Sequence, residues 1–203
     1  MKRYLIVLCA LLTIGCSKQA ATSPTPVSSV AASSFAANQE SSVPSSQQSG
    51  SNSESSPKLG SRKNAAKIND KITSTIDDLA QFEITLVEIK RGKDALAAIM
   101  KENEFNDLPT EGNEYILATF KIKNIKDLSR NDSPLGVWEY DFSFSDSQFA
   151  KSDLMPNAVY SNPLYSELYE GAETTGNVLF ECQKNDSPYA VYLDTIWFNI
   201  SGE

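Results

Sequence analysis

The chain has 203 residues, 26 of them acidic and 18 basic, for a formal net charge of −8, and it contains no histidine. The absence of histidine excludes Ser-His-Asp and Cys-His hydrolysis, His-ligated zinc and the usual general base near neutral pH. Nine glycines, scattered singly, give no loop that could cradle a phosphate.

The chain opens Met1-Lys2-Arg3-Tyr4, and an apolar run then extends to Gly15. That run is shorter than the roughly 20 residues a membrane-spanning helix needs, and it fits the apolar core of a secretory signal over residues 1–15. Leu12-Thr13-Ile14-Gly15-Cys16 resembles the lipobox of bacterial lipoproteins, with Thr13 where leucine is usual. The resemblance implies that Cys16 is diacylglyceryl-modified and becomes the new N-terminus; two acyl chains suffice for stable anchoring. Cys9 would leave with the signal, so Cys182 is the one thiol expected in the folded part, and no intramolecular disulfide is possible.

Residues 16–63 are read as a lipidated tether rich in Ser and Ala. From Ser17 to Arg62 the only aromatic residue is Phe35. With no apolar period and little to bury, this stretch is predicted to stay disordered. A flexible coil of about 45 residues spans about 35–40 Å on average. Lys58, Arg62, Lys63, Lys67 and Lys71 lie near its end, loosely enough spaced either to rest on an anionic surface or simply to be solvated.

Residues 64–203 are expected to form an all-β domain. A weaker first strand is predicted at Lys71–Ile76. Next, Gln81–Lys90 places Phe82, Ile84 and Leu86 on one face. A helix follows in "GKDALAAIMKEN", with Leu96, Ile99 and Met100 as its apolar stripe and Asp94 favoured near its N-terminus. Asn113–Asn124 aligns Ile116, Ala118, Phe120 and Ile122 against Thr119, Lys121 and Lys123. Val137–Phe144 reads as one strand with Trp138, Tyr140, Phe142 and Phe144 facing one way. Thr174–Gln183 aligns Val178, Phe180 and Cys182, which places the thiol in the core; a buried thiol without a cationic neighbour stays protonated. The chain closes with Val191 and Leu193, then Ile196, Phe198 and Ile200. Asn131–Pro134 and Lys184–Pro188 are turn signals, and half-buried alternation around such turns predicts an antiparallel sandwich with one short helix inserted.

The order "KINDKITS", "FEITLVEIKRG", "EGNEYILATFKIKN", an aromatic strand, "YEGAETTGNVLFE" and "WFNI" resembles an immunoglobulin-like domain of unknown function. That domain is common in Gram-positive secreted proteins and lipoproteins, and the mycobacterial immunoprotective antigen has a similar fold. The resemblance covers about residues 66–200. It rests on Gly112, Glu114 and Tyr115 before the central strand, and on the Glu170-Gly171-Ala172 turn; Asn69 stands where members often have glycine. It implies an immunoglobulin-like antiparallel β-sandwich and carries no catalytic residues with it.

Charge narrows the partners. Residues 77–203 hold 23 Asp and Glu against 10 Lys and Arg, a net of −13. Such a domain is repelled by nucleic acid and anionic lipid, which leaves basic proteins, cationic peptides and divalent cations. Glu102, Glu104, Asp107, Glu111 and Glu114 supply hard oxygens for calcium, but their spacing lacks alternating ligands around a glycine. Asp127, Ser129 and Asn131 do alternate, yet Asp132 and Trp138 stand where glycine and glutamate are needed. The stretch "ENEFNDLPTEGNE" is therefore read as a turn, with Asn103 or Asn106 ending the helix, Phe105 anchored in the core and Gly112 freeing the path into the strand. A carboxylate pair for glycoside hydrolysis would arise among so many acids by chance alone.

The candidate contact surface is Asn157–Gly171, where Tyr160, Tyr165 and Tyr169 alternate with Ser, Asn and Pro as in binding loops. The competing reading is a crossover whose tyrosines cap the core. The expectation is a non-catalytic, lipid-anchored binding or adhesion module without metal or cofactor. The alternative is an accessory subunit of an envelope transport, sensing or secretion complex.

Overall fold

A computed structural model describes residues 56–153 and 155–202. Cys16 and the rest of residues 1–55, where a signal and a lipidated tether are expected, lie outside the described residues. Among the described residues, ten strands and one α-helix follow in order: β1 (Lys71–Ile76), β2 (Ala80–Arg91), α1 (Lys93–Glu102), β3 (Asn113–Asp127), β4 (Leu135–Trp138), β5 (Phe142–Ser145), β6 (Lys151–Ser152), β7 (Tyr165–Leu168), β8 (Glu173–Gln183), β9 (Tyr189–Tyr192) and β10 (Ile196–Asn199). One sheet has the order β1-β2-β3-β8, a second β10-β9-β5-β6, and β4 with β7 makes a separate ribbon. All these pairings are antiparallel.

The two larger sheets face each other, as the alternation in β2, β3 and β8 requires. Phe82, Ile84, Leu86, Phe120, Ile122, Val178 and Phe180 point inward from the first sheet. Phe142, Tyr192 and Phe198 meet them from the second: Phe120 lies 4.4 Å from Phe142 and 5.3 Å from Phe198, ring centre to centre, and Phe82 lies 5.6 Å from Tyr192. Aromatic pairs at such spacings add to the area they bury. The domain is an all-β sandwich with one inserted helix.

That helix covers the outer face of the first sheet. The buried stripe is Ala95 and Ile99, received by Tyr115 and Leu117 of β3 and Leu179 of β8. Leu96 packs at its edge and Met100 is only half-buried, so the stripe is turned relative to the Leu96–Ile99–Met100 expectation. The first half of β3 is thus buried on both faces.

Three local features differ from the sequence-based expectation. The Val137–Phe144 alternation is not one strand. A 3-10 turn at Glu139–Asp141 separates β4 from β5, held by the Trp138 N–H donating to Asp141 Oδ2 at 2.8 Å. The turn resets the phase, so Val137 and Phe142 are buried while Tyr140 is 79% exposed. Phe105 does not anchor the turn after the helix, for it is 83% exposed. The packed chain also begins before residue 64: Trp197 N–H donates to Gly60 O, Ala66 N–H to Trp197 O and Asn199 N–H to Ala66 O, each at 2.8 Å. This segment supplies β10 with a partner along what would otherwise be a bare sheet edge.

The turn residues fall where their backbone demands them. Gly112 and Gly171 take φ of +87° and +84°, and Asn69, at +69°, occupies the left-handed region as a glycine would.

Candidate functional site

The three tyrosines of the 157–171 segment do not act together. Tyr160 turns inward beside the helix cluster, and its hydroxyl donates to Glu139 Oε2. Burial and then that carboxylate raise its pKa. It is a packing residue, which is the capping alternative at this one position. The chain then crosses the edge of β8, stitched by Asn177 Nδ2 to Ser161 O (2.7 Å), Asn177 N–H to Asn162 O (2.8 Å) and Leu164 N–H to Asn177 O (2.9 Å). A Cβ on Gly176 would stand 2.6 Å from the Leu164 Cα, so only glycine permits this crossing.

Tyr165 and Tyr169 point outward from β7 and its end. The register sets Trp138 opposite Tyr165, Gly136 opposite Glu167 and Leu135 opposite Leu168. Leu135, Val137 and Leu168 face the core. By strand parity, Trp138, Gly136, Tyr165, Glu167 and Tyr169 share the outer face. The Trp138 indole leans over Gly136, where a Cβ would meet Nε1 at 2.8 Å. The Tyr165 ring meets the indole edge-on, at 4.7 Å and 73°. Tyr165 is 70% exposed, and Tyr140 stands in the turn just past Trp138. The ribbon under this face is fixed by its buried leucines and by Asn124, which donates to Leu168 O at 2.9 Å and accepts from Gly171 N–H at 2.8 Å. The outcome is a rigid aromatic face with one carboxylate, Glu167.

Sequence alternation put Trp138 on one face with Phe142 and Phe144 and so missed its place here. The signal available was Gly136, two residues before Trp138 on the same strand face.

A second arrangement escaped the sequence reading. The β2–β3 register shifts between Leu86 and Glu88, a bulge at Val87. Past it, Ile89 rejoins the core-facing side and Arg91 follows by parity. Arg91 Nε donates to Glu114 Oε1 at 2.8 Å, Nη1 to Ser201 O at 2.9 Å, and Nη2 to Asp186 O at 2.8 Å and to Cys182 Sγ at 3.7 Å. Cys182 therefore does have a cationic neighbour, contrary to expectation. Burial still outweighs it and pushes the thiol up to about 11, with Glu114 and Asp186 adding to the rise. Each nitrogen of the guanidinium donates to at least one protein acceptor, so this cluster clamps β2, β3 and β8 to the loop at Asp186 and to Ser201 beyond β10.

Among the described residues, the carboxylates of the acidic turn do not converge on one point. Glu114 turns inward to Arg91, and among the described residues no three His, Cys, Asp or Glu side chains converge as metal ligands. Asp127 accepts the Ser129 N–H at 2.8 Å, and hydrogen bonds from Ser129 hold its carboxyl below the usual range. Burial raises Glu181, but hydrogen bonds from Asn113 and Thr110 outweigh it and leave the carboxyl below its ordinary value. Among the described residues, no helix is long and apolar enough to cross a membrane.

No protein-family model matches the chain, and no curated protein matches it. Solved structures with a distant likeness include two from Bacillus species. One is a candidate lipoprotein (ycdA) from Bacillus subtilis, at 17% identity and TM-score 0.46 over 65% of this chain and 38% of that one. The other is a conserved hypothetical protein from Bacillus anthracis, at 15% identity and TM-score 0.38 over 67% of this chain and 95% of that one. This chain thus spans well under half of the Bacillus subtilis protein, and likenesses this slight bear on neither ligand nor partner.

Proposed function

We propose that the protein is a cell-envelope lipoprotein, anchored through Cys16 on the extracytoplasmic face, whose immunoglobulin-like sandwich binds a protein or peptide without catalysis. The Leu12–Cys16 lipobox resemblance supports the anchor, and the apolar run before it supports export. The strand order supports the immunoglobulin-like type, since β3 pairs with β8 and β5 with β9 across long connections, as in Greek-key sandwiches. One observation carries the binding reading. Trp138, Tyr165 and Tyr169 stand outward on a ribbon whose other face is locked in the core. Large aromatic side chains held rigid lose little freedom on contact, which is why they dominate protein interfaces. Such a face with Glu167 beside it suits an extended segment carrying apolar or cationic side chains, which can also stack on the rings.

The test is photo-crosslinking capture on native envelopes, comparing the unaltered chain with Tyr165→Ala/Tyr169→Ala. The double variant should lose the crosslinked partner while melting within about 2 °C of the parent, because exposed substitutions usually change stability little. Tyr160→Ala should instead lower the melting temperature and spare capture. Capture unchanged in the double variant would refute the ribbon as the contact face.

A further inference from the structure

The turn Glu102–Glu114 is rigid and presents apolar side chains to water. Asn103 N–H donates to Ile99 O at 3.2 Å and Phe105 N–H to Asn103 Oδ1 at 3.1 Å. Asn106 Nδ2 reaches both Ile99 O (3.0 Å) and Val159 O (2.7 Å), while its Oδ1 accepts the Val159 N–H at 2.8 Å. Farther on, the Tyr115 hydroxyl donates to Asp107 O at 3.1 Å and Thr110 N–H to Glu181 Oε1 at 2.8 Å. Both limbs are thus fastened to the sheet or helix. Between them Phe105 is 83% and Leu108 68% exposed, and Val159 is exposed beside them. Phe105 and Val159 line one hollow of about 220 Å3, together with Asn103, Asn106 and Asp107.

The same turn carries Glu102, Glu104, Asp107 and Glu111, all exposed, against Lys101 alone. None of these four carboxylates belongs to an ion pair among the described residues. We infer that Phe105, Leu108 and Val159 form a docking surface for an amphipathic cationic segment of a partner protein, its apolar side chains on the patch and its Lys or Arg side chains over the four carboxylates. Charge complementarity selects this occupant. A second copy meeting the patch by two-fold symmetry would bring the same carboxylates against themselves. An anionic lipid surface is repelled in the same way. The surface shares no residue with the aromatic ribbon.

The experiment uses the full chain carrying Cys16→Ser in a nonionic detergent, with fluorescence anisotropy of a labelled amphipathic peptide of Leu and Lys. Binding should saturate and weaken several-fold between about 50 and 300 mM salt, as the Debye length shortens. Phe105→Ala/Leu108→Ala should weaken it at least about tenfold, as loss of interface anchors does. Glu104→Gln/Asp107→Asn should weaken it several-fold and flatten the salt dependence. A peptide with Gln for every Lys should bind at least about tenfold more weakly, since it lacks the charge that selects the site. The inference is overturned if the Phe105/Leu108 variant binds as the parent does, or if the neutral peptide binds equally. It also fails if sedimentation shows copies associating through these residues, or if they insert into phosphatidylcholine vesicles. Loss of peptide binding on Tyr165→Ala, with the Phe105/Leu108 variant unaffected, would overturn this inference and leave the ribbon reading standing.

Discussion

Replacing Arg91 by Met removes the clamp that joins β2, β3, β8 and the chain end. Both side chains of the Arg91–Glu114 pair are 18% exposed, so the loss leaves Glu114 largely shielded and unpartnered. The Ser201 and Asp186 carbonyls lose their donors as well. Breaking a buried pair by removing one partner costs about 3–5 kcal/mol, and residual exposure puts this case near about 3. That is a large part of a stability typically about 5–15 kcal/mol. In a domain of about 150 residues each kcal/mol moves the melting temperature by about 2–4 °C, so the expected drop is about 6–12 °C. Glu114→Gln keeps an acceptor for the guanidinium and should cost only about 1 kcal/mol. The double variant buries no lone charge, so it should be at least about 1 kcal/mol more stable than the two single losses would sum to. Urea unfolding of the four proteins at neutral pH, with m held constant, reads all three quantities. A loss under about 1 kcal/mol for Arg91→Met, or strict additivity with Glu114→Gln, would refute the reasoning.

Two further outcomes follow from single contacts. Gly176→Ala sets a Cβ against the Leu164 backbone, which cannot yield as a side chain would; the expected loss is about 3 kcal/mol, with faster amide exchange across residues 161–168. Wild-type exchange in that segment would contradict it. Asp141 sits partly buried, and burial raises its carboxyl above the ordinary 3.8 despite the Trp138 N–H. A raised acid is favoured in the fold below its unfolded pKa, and that advantage is lost as pH rises through the folded value. Asp141→Asn, which keeps an oxygen for Trp138, should therefore melt higher than the parent at neutral pH, the gap closing on acidification below about pH 4. A gap that widens in acid would reverse the assignment.

The period-two alternation in β2, β3 and β8 was enough to read the inner face of the first sheet, because each strand must turn every second side chain to the core. The helix and the turns at 112 and 171 were legible for the same local reason: amphipathic spacing and positive φ are properties of a few neighbouring residues. What failed was continuity. The run from Val137 to Phe144 keeps its alternation through a 3-10 turn that only the pairing of β4 with β7 and of β5 with β9 enforces, so Trp138 was grouped with Phe142 although the two take opposite faces. The bulge at Val87 likewise exists to keep register with β3, and it alone carries Arg91 to Glu114 and Cys182.

Composition and local pattern determined that this is an acidic, histidine-free, antiparallel sandwich with one helix, since charge and periodicity need no knowledge of distant contacts. Tertiary structure decided the rest. It turned Tyr160 in and Tyr165 out, set Phe105 in water on a turn whose four exposed carboxylates make no ion pair among the described residues, and assembled the Arg91 clamp from residues up to 110 apart in sequence. Which face a side chain takes depends on which strands meet across the sheet, and that is a property of the whole chain.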